Sequence, residues 1–155
     1  MSGGAVPFRV PPVVKTVLVR RPPETAFRLF TERLDAWWPL DRMHAGPDPR
    51  ACAFEGRVGG RLYERAADGT LTPWGTVLAW EPPHRVAFSW IVGAAARAPQ
   101  RIEVSFTPVA AGTEIVLRHS GWEALGAEGA ALRERFDQGW VLVFEQCFAG
   151  YANAG

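Results

Sequence analysis

Cysteine, histidine and net charge are all scarce in this chain, and each scarcity excludes something. The two cysteines, Cys52 and Cys147, lie far apart and form no C-x-x-C pair. Neither a disulfide scaffold nor a cysteine-based metal site is expected, and both read as reduced and buried. The three histidines, His44, His84 and His119, show no H-x-x-x-H spacing, so no metal is assigned. Seventeen Lys and Arg against sixteen Asp and Glu give a formal charge of +1, and there is no arginine-rich run. Nothing therefore favours a nucleic acid or an anionic membrane as partner. No apolar run approaches the ~20 residues that cross a bilayer. The opening MSGGAVPFRVPP lacks the cationic and apolar stretches of a secretory signal. Residues 1–12 read as a flexible tail, residues 13–152 as one domain, and the expected compartment is the cytoplasm. G-x-S-x-G, G-x-x-x-x-G-K-[ST] and a G-x-G-x-x-G in a βαβ unit are also missing. No catalytic residue and no cofactor is assigned.

What the chain does have is aromatic bulk: seven Trp and nine Phe among 155 residues, 48% of which are apolar. Such rings bury large areas, and the chain is long enough to bury a real core. Residues 13–20 (VVKTVLVR) are rich in β-branched side chains and read as a strand. A helix then opens at Pro22-Pro23 with Glu24 at its positive end. Phe27, Phe30, Leu34 and Trp37 recur along one face of it. Trp38 falls about 100° further round, and Pro39 ends the helix. The adjacent tryptophans therefore separate, Trp37 into the core and Trp38 towards the wall of an internal cavity.

After a Gly/Pro-broken loop, residues 41–50, the pattern becomes a meander of about six strands. Their segments are 51–58, 59–66, 73–80, 84–92, 100–109 and 113–120. Gly59-Gly60, Asp68-Gly69 and Ala110-Ala111-Gly112 supply the tight turns. Alternation puts Trp74, Thr76, Leu78 and Trp80 on one face of the third of these, and Val86, Phe88 and Trp90 on one face of the fourth. Ile102, Val104 and Phe106 share a side in the fifth, and Ile115, Leu117 and His119 in the last. One face is packed and the other wet. Residues 128–151 supply the cover. Leu132, Phe136, Trp140, Val143, Cys147 and Tyr151, widened by Val141, Phe144 and Phe148, make an apolar half-circumference on a helix about 36 Å long. Gly139 inside it costs about 1 kcal/mol against alanine, which implies either the close approach of another backbone or a kink.

Several side chains carry alternative readings. The rings of Trp38, Trp74, Trp90 and Trp140 either line an apolar pocket with a few polar anchors or fill a solid core. His119 is either a polar anchor or general base, or a core histidine bonded to backbone near the strand end. Arg133 and Asp137, four apart, either pair with each other or orient a ligand at the cavity mouth. Glu55 and Arg57 read as an outward surface pair, and Tyr63 fits either face. His44 and His84 read as solvated.

The stretch from Phe54 to Trp90 resembles the SRPBCC superfamily, and within it the Hsp90-ATPase-activator-homologue (AHSA1-like) proteins of bacteria. RVGGRLYE, WGTVLAWEPPHRVAFSW, LRHSGW and the helix around Gly139-Trp140 carry the resemblance, which runs over residues 13–151. It implies an α+β helix-grip (Bet v 1-like) fold, a curved antiparallel sheet wrapped around the long C-terminal helix. It further implies an internal cavity for a hydrophobic small molecule, lipid- or polyketide-like. The expected ligand-binding set is Trp38, Met43, Phe54, Trp74, Trp90, Phe106, His119, Phe136, Trp140 and Phe144. A cavity-based enzyme of cyclase or hydrolase type, and a protein-interaction or co-chaperone-like module, are the alternatives, and edge pairing into a homodimer is compatible with such a sheet.

Overall fold

The computed structural model of the chain describes residues 9–154. Strand β1 (Val13–Val19) leads to helices α1 (Pro23–Thr31) and α2 (Leu34–Trp37). Six strands follow: β2 (Pro49–Phe54), β3 (Arg61–Ala66), β4 (Leu71–Glu81), β5 (Arg85–Trp90), β6 (Gln100–Val109) and β7 (Gly112–Ser120). A final helical rod comprises α3 (Ala127–Trp140), a π-helical stretch Val141–Phe148 and α4 (Ala149–Asn153). The strands form one antiparallel sheet in the order β1-β7-β6-β5-β4-β3-β2. The rod lies across its inner face, giving the helix-grip arrangement. Among the described residues no helix is long and apolar enough to cross a membrane.

Most of the alternation survives. Val86, Phe88 and Trp90, Ile102, Val104 and Phe106, and Ile115, Leu117 and His119 are all buried. Strand β4 departs from it. Trp74 is buried, but Thr76 and Leu78 are exposed, and Val77 is buried instead. The register slips between Leu62 and Tyr63 on the β3 side and between Val77 and Ala79 on the β5 side. Each slip reverses the faces downstream of it, as bulges do, so Val77 stands opposite Phe88 and Trp80 opposite Val86. Gly75 sits at the tightest point: a Cβ there would run into the Ser89 carbonyl.

The turns follow the glycines, with one difference. Asp68-Gly69 closes β3 to β4 with Gly69 at φ 90°, a conformation that suits glycine. Strand β2 stops at Phe54 rather than Val58, and residues 55–60 form a longer connection. Glu55 accepts from the Arg61 backbone N–H at 2.7 Å and from its guanidinium at 3.0 Å. The Glu55 carboxyl is held at about 2 by those bonds. Its main partner is thus Arg61, with Arg57 only at 4.0 Å. Tyr63 is half-buried on the outer side, under the Arg61 guanidinium.

Both helical segments depart from the continuous helices expected. The first breaks after Thr31, whose hydroxyl donates to the Phe27 carbonyl at 2.8 Å and so competes with the helix's own bond. The second widens at Val141 into π turns, with no kink forced by a neighbour: a Cβ on Gly139 would meet nothing within 4 Å. The expectation of a backbone pressed against Gly139 is therefore overturned. Cys147 is half-buried rather than buried, and both cysteines are free. Arg133 and Asp137 do not pair. Arg133 donates to the carbonyls of Pro11 (2.8 Å) and Pro12 (3.1 Å), and Asp137 pairs with Lys15 at 3.1 Å. Asp137 therefore ties the rod to β1, and Arg133 ties it to the two prolines that lead into that strand. Of the tail, residues 1–8 lie outside the described residues, whereas Val10 is buried in the core.

Candidate functional site

Helix α1 divides the interior. Phe30 projects from it into a packed half, with its ring 5.1 Å from Phe148, 6.0 Å from Phe106 and 6.1 Å from Phe54. Phe144 closes the group at 6.4 Å. Phe54, Phe106 and Phe144 thus belong to solid core beneath α1.

The other half is hollow. A cavity of about 180 Å³ lies between α3 and the sheet, under the loop that follows α2. Trp74 and Trp90 form its floor from β4 and β5, with Val92 just beyond. Phe136, Gly139, Trp140 and Val143 come from the rod, and Trp38, Arg42, Met43 and His44 from the loop. Six residues expected from the sequence are brought together here: Trp38, Met43, Trp74, Trp90, Phe136 and Trp140. Arg42, His44, Val92, Gly139 and Val143 were not expected. Gly139 gives the one readable signal among them, since a glycine in mid-helix leaves room where a side chain would stand.

The paired tryptophans separate because the backbone does. Trp37 ends α2 and is 5% exposed, its indole donating to the Leu29 carbonyl at 2.9 Å. Trp38 is already extended (φ −67°, ψ 127°). Its ring crosses to the cavity, 4.8 Å from Trp74, and its indole N–H donates to the Met43 carbonyl at 2.7 Å.

The loop itself is held by a buried carboxylate. Glu64, 1% exposed, follows Leu62 on the inner side of β3. Its oxygens accept from the backbone N–H of Ala45 (2.5 Å) and Gly46 (2.9 Å) and from Trp74 Nε1 (2.7 Å). One acid thereby fixes the loop and a wall of the cavity together. His44, exposed as expected of its loop, has its Nδ1 at 2.9 Å from the Gly46 carbonyl oxygen.

His119 lies behind the cavity wall rather than in it. It is fully buried. Trp140 Nε1–H donates to its Nδ1 at 3.0 Å, so the proton of the neutral ring sits on Nε2 and is given to Gln100 Oε1 at 2.7 Å. Burial pushes its pKa down to about 3. The ring has no free nitrogen with which to anchor a guest. It is a core histidine bonded to side chains rather than to backbone, and it fixes the orientation of Trp140. Burial likewise pushes the Cys52 thiol up, with Asp35 and Glu64 adding to the effect, which leaves no activated thiolate.

Comparison with known proteins agrees with this architecture. Residues 20–150 match the family model described as activator of Hsp90 ATPase homolog 1-like protein. No curated protein matches the chain significantly. Among solved structures, the protein MLL2253 from Mesorhizobium loti is 23% identical with a TM-score of 0.66, over 88% of this chain and 93% of that one. BH1534 from Bacillus halodurans is 22% identical with a TM-score of 0.65, over 94% and 99%. An anthrahydroquino-gamma-pyrone synthase, Txn09, complexed with SUM, is 33% identical with a TM-score of 0.59, over 91% and 96%.

Proposed function

The chain belongs to the activator of Hsp90 ATPase homolog 1-like family, and from that premise we propose that it binds a hydrophobic small molecule, lipid- or polyketide-like, in the cavity between the rod and the sheet. The observation that carries this reading is the aromatic-walled hollow of about 180 Å³. The hollow opens to solvent beside the loop, and an apolar guest gains about 25 cal/mol for each Å² of apolar wall that it covers. The size suits one or two fused rings. Gly139 supports the same reading, because a helix would gain stability from alanine there and the missing side chain serves only the hollow.

The test is a titration of small aromatic hydrocarbons and of a lipid and polyketide panel, followed by tryptophan emission. Saturable binding is expected in the wild type and its loss in Gly139→Leu, whose side chain occupies the hollow. Failure of every probe to saturate, or binding indifferent to Gly139→Leu, would refute the proposal.

A second reading is a ring-forming reaction on such a guest, favoured by the 33% identity with a pyrone synthase. The polar groups available to it at the cavity are Arg42 and His44. Replacing both by alanine would abolish turnover of a two-ring polyketide-type substrate while leaving its binding in place.

A further inference from the structure

Five tryptophans give their indole N–H to a definite acceptor. Trp37 and Trp38 donate to carbonyls of Leu29 and Met43, Trp74 to Glu64, Trp122 to the His119 carbonyl and Trp140 to His119 Nδ1. Trp90 does not. It is 6% exposed, lines the cavity, and its Nε1 has no hydrogen-bond partner. Among the described residues one other buried side-chain nitrogen shares that condition, Gln100 Nε2. Gln100 is the register partner of Trp90 across β5 and β6, so both unmatched donors stand side by side on the inner face. Turning the Gln100 amide round does not help. Its oxygen is required by His119 Nε2–H, because Trp140 has taken Nδ1. Buried donors without acceptors are unfavourable and call for an explanation.

We infer that the guest carries a neutral acceptor, a ring carbonyl oxygen, that receives a hydrogen bond from Trp90 Nε1–H, the unmatched donor that lines the cavity. This rests on the cavity reading above and narrows it to aromatic ketones and quinones rather than plain hydrocarbons or alkyl chains. The indole nitrogen only donates, so a guest offering only donors leaves it unmatched. The indole is uncharged, so a carboxylate placed at this nitrogen would lose hydration and gain no counter-charge there. The nitrogen is screened in the empty site. Trp38 and Phe136, the half-buried rings 6.1 and 6.4 Å from Trp90, are the side chains whose shift admits the oxygen.

The experiment compares 1-indanone with indane, which share a skeleton and differ in the carbonyl, on wild type and Trp90→Phe. Dissociation constants and indole N–H resonances are read from ¹⁵N-labelled protein. The ratio of the two constants should move against indanone by about tenfold in Trp90→Phe. The Trp90 indole signal of the wild type should shift downfield with indanone and not with indane. An unchanged ratio, or an indole signal indifferent to the ketone because a water already holds it, overturns the inference while leaving the cavity reading standing. Failure of both compounds to bind removes both. Should Trp90→Phe not fold, the wild-type indole signal, assigned through bonds, decides alone.

Discussion

Stability should fall steeply in mild acid, and His119 should be the reason. In the unfolded chain its imidazole takes up a proton near the ordinary value of 6.5, but in the folded protein only near about 3. Between those values the unfolded state holds more protons, so stability rises with pH, is fully present above 6.5 and drains away below it. Protonation in place would also set a new N–H at Nδ1 against the Trp140 N–H that now bonds there. Each pH unit carries about 1.4 kcal/mol, so about 2–3 kcal/mol should be lost between pH 6.5 and 4.5. That window is clean. The depressed carboxyls of Glu55, Glu81 and Asp68 keep their contributions until the pH falls below their ordinary range. Urea midpoints followed by tryptophan emission at several pH values give the slope directly. His119→Gln should be less stable at every pH but flat across the window. A flat wild type, or an equal slope in His119→Gln, would refute the assignment.

Two further outcomes follow from the packing. Glu64→Gln places an amide NH₂ against donors that need an acceptor, and should cost about 2–4 kcal/mol. Hydrogen exchange at Ala45 and Gly46 should rise in the same variant, and unchanged protection would show that Glu64 does not hold the loop. Gly75→Ala should cost at least about 2 kcal/mol by thermal denaturation, because its methyl meets the Ser89 carbonyl. A neutral result would mean that β4 and β5 are not so close.

Much of this architecture was readable from periodicity and turns. Asp68-Gly69 and Ala110-Ala111-Gly112 marked turns correctly, and strict alternation assigned β5, β6 and β7. Alternation failed in β4 because a bulge shifts the face without altering composition: Leu78 is as apolar as Val77, and only the register separates them. The rod's stripe was legible, but its π turns were not, since the spacing of four along Trp140, Phe144 and Phe148 fits either winding. At the site, Trp38 was readable because Pro39 stops the helix at the second ring. Glu64 was not, because a carboxylate on an inward position declares itself only when the loop that it clamps is in place. His119 was placed on the correct face. Its partners came from Gln100 and from the rod, contacts that no local pattern encodes.

The placement of β1 shapes how the chain can be built. Val13 pairs with His119 and Val19 with Thr113, so the first strand has no neighbour until nearly the whole meander has been made. At about 5–20 residues per second on a ribosome, that is a delay of roughly five to twenty seconds. Phe30 waits longer still for part of its cover, which comes from Phe144 and Phe148 of the rod. The nascent chain therefore carries an unmatched hydrogen-bonding edge and a part-covered aromatic ring until the meander is complete, and the helical rod that follows it closes over that ring.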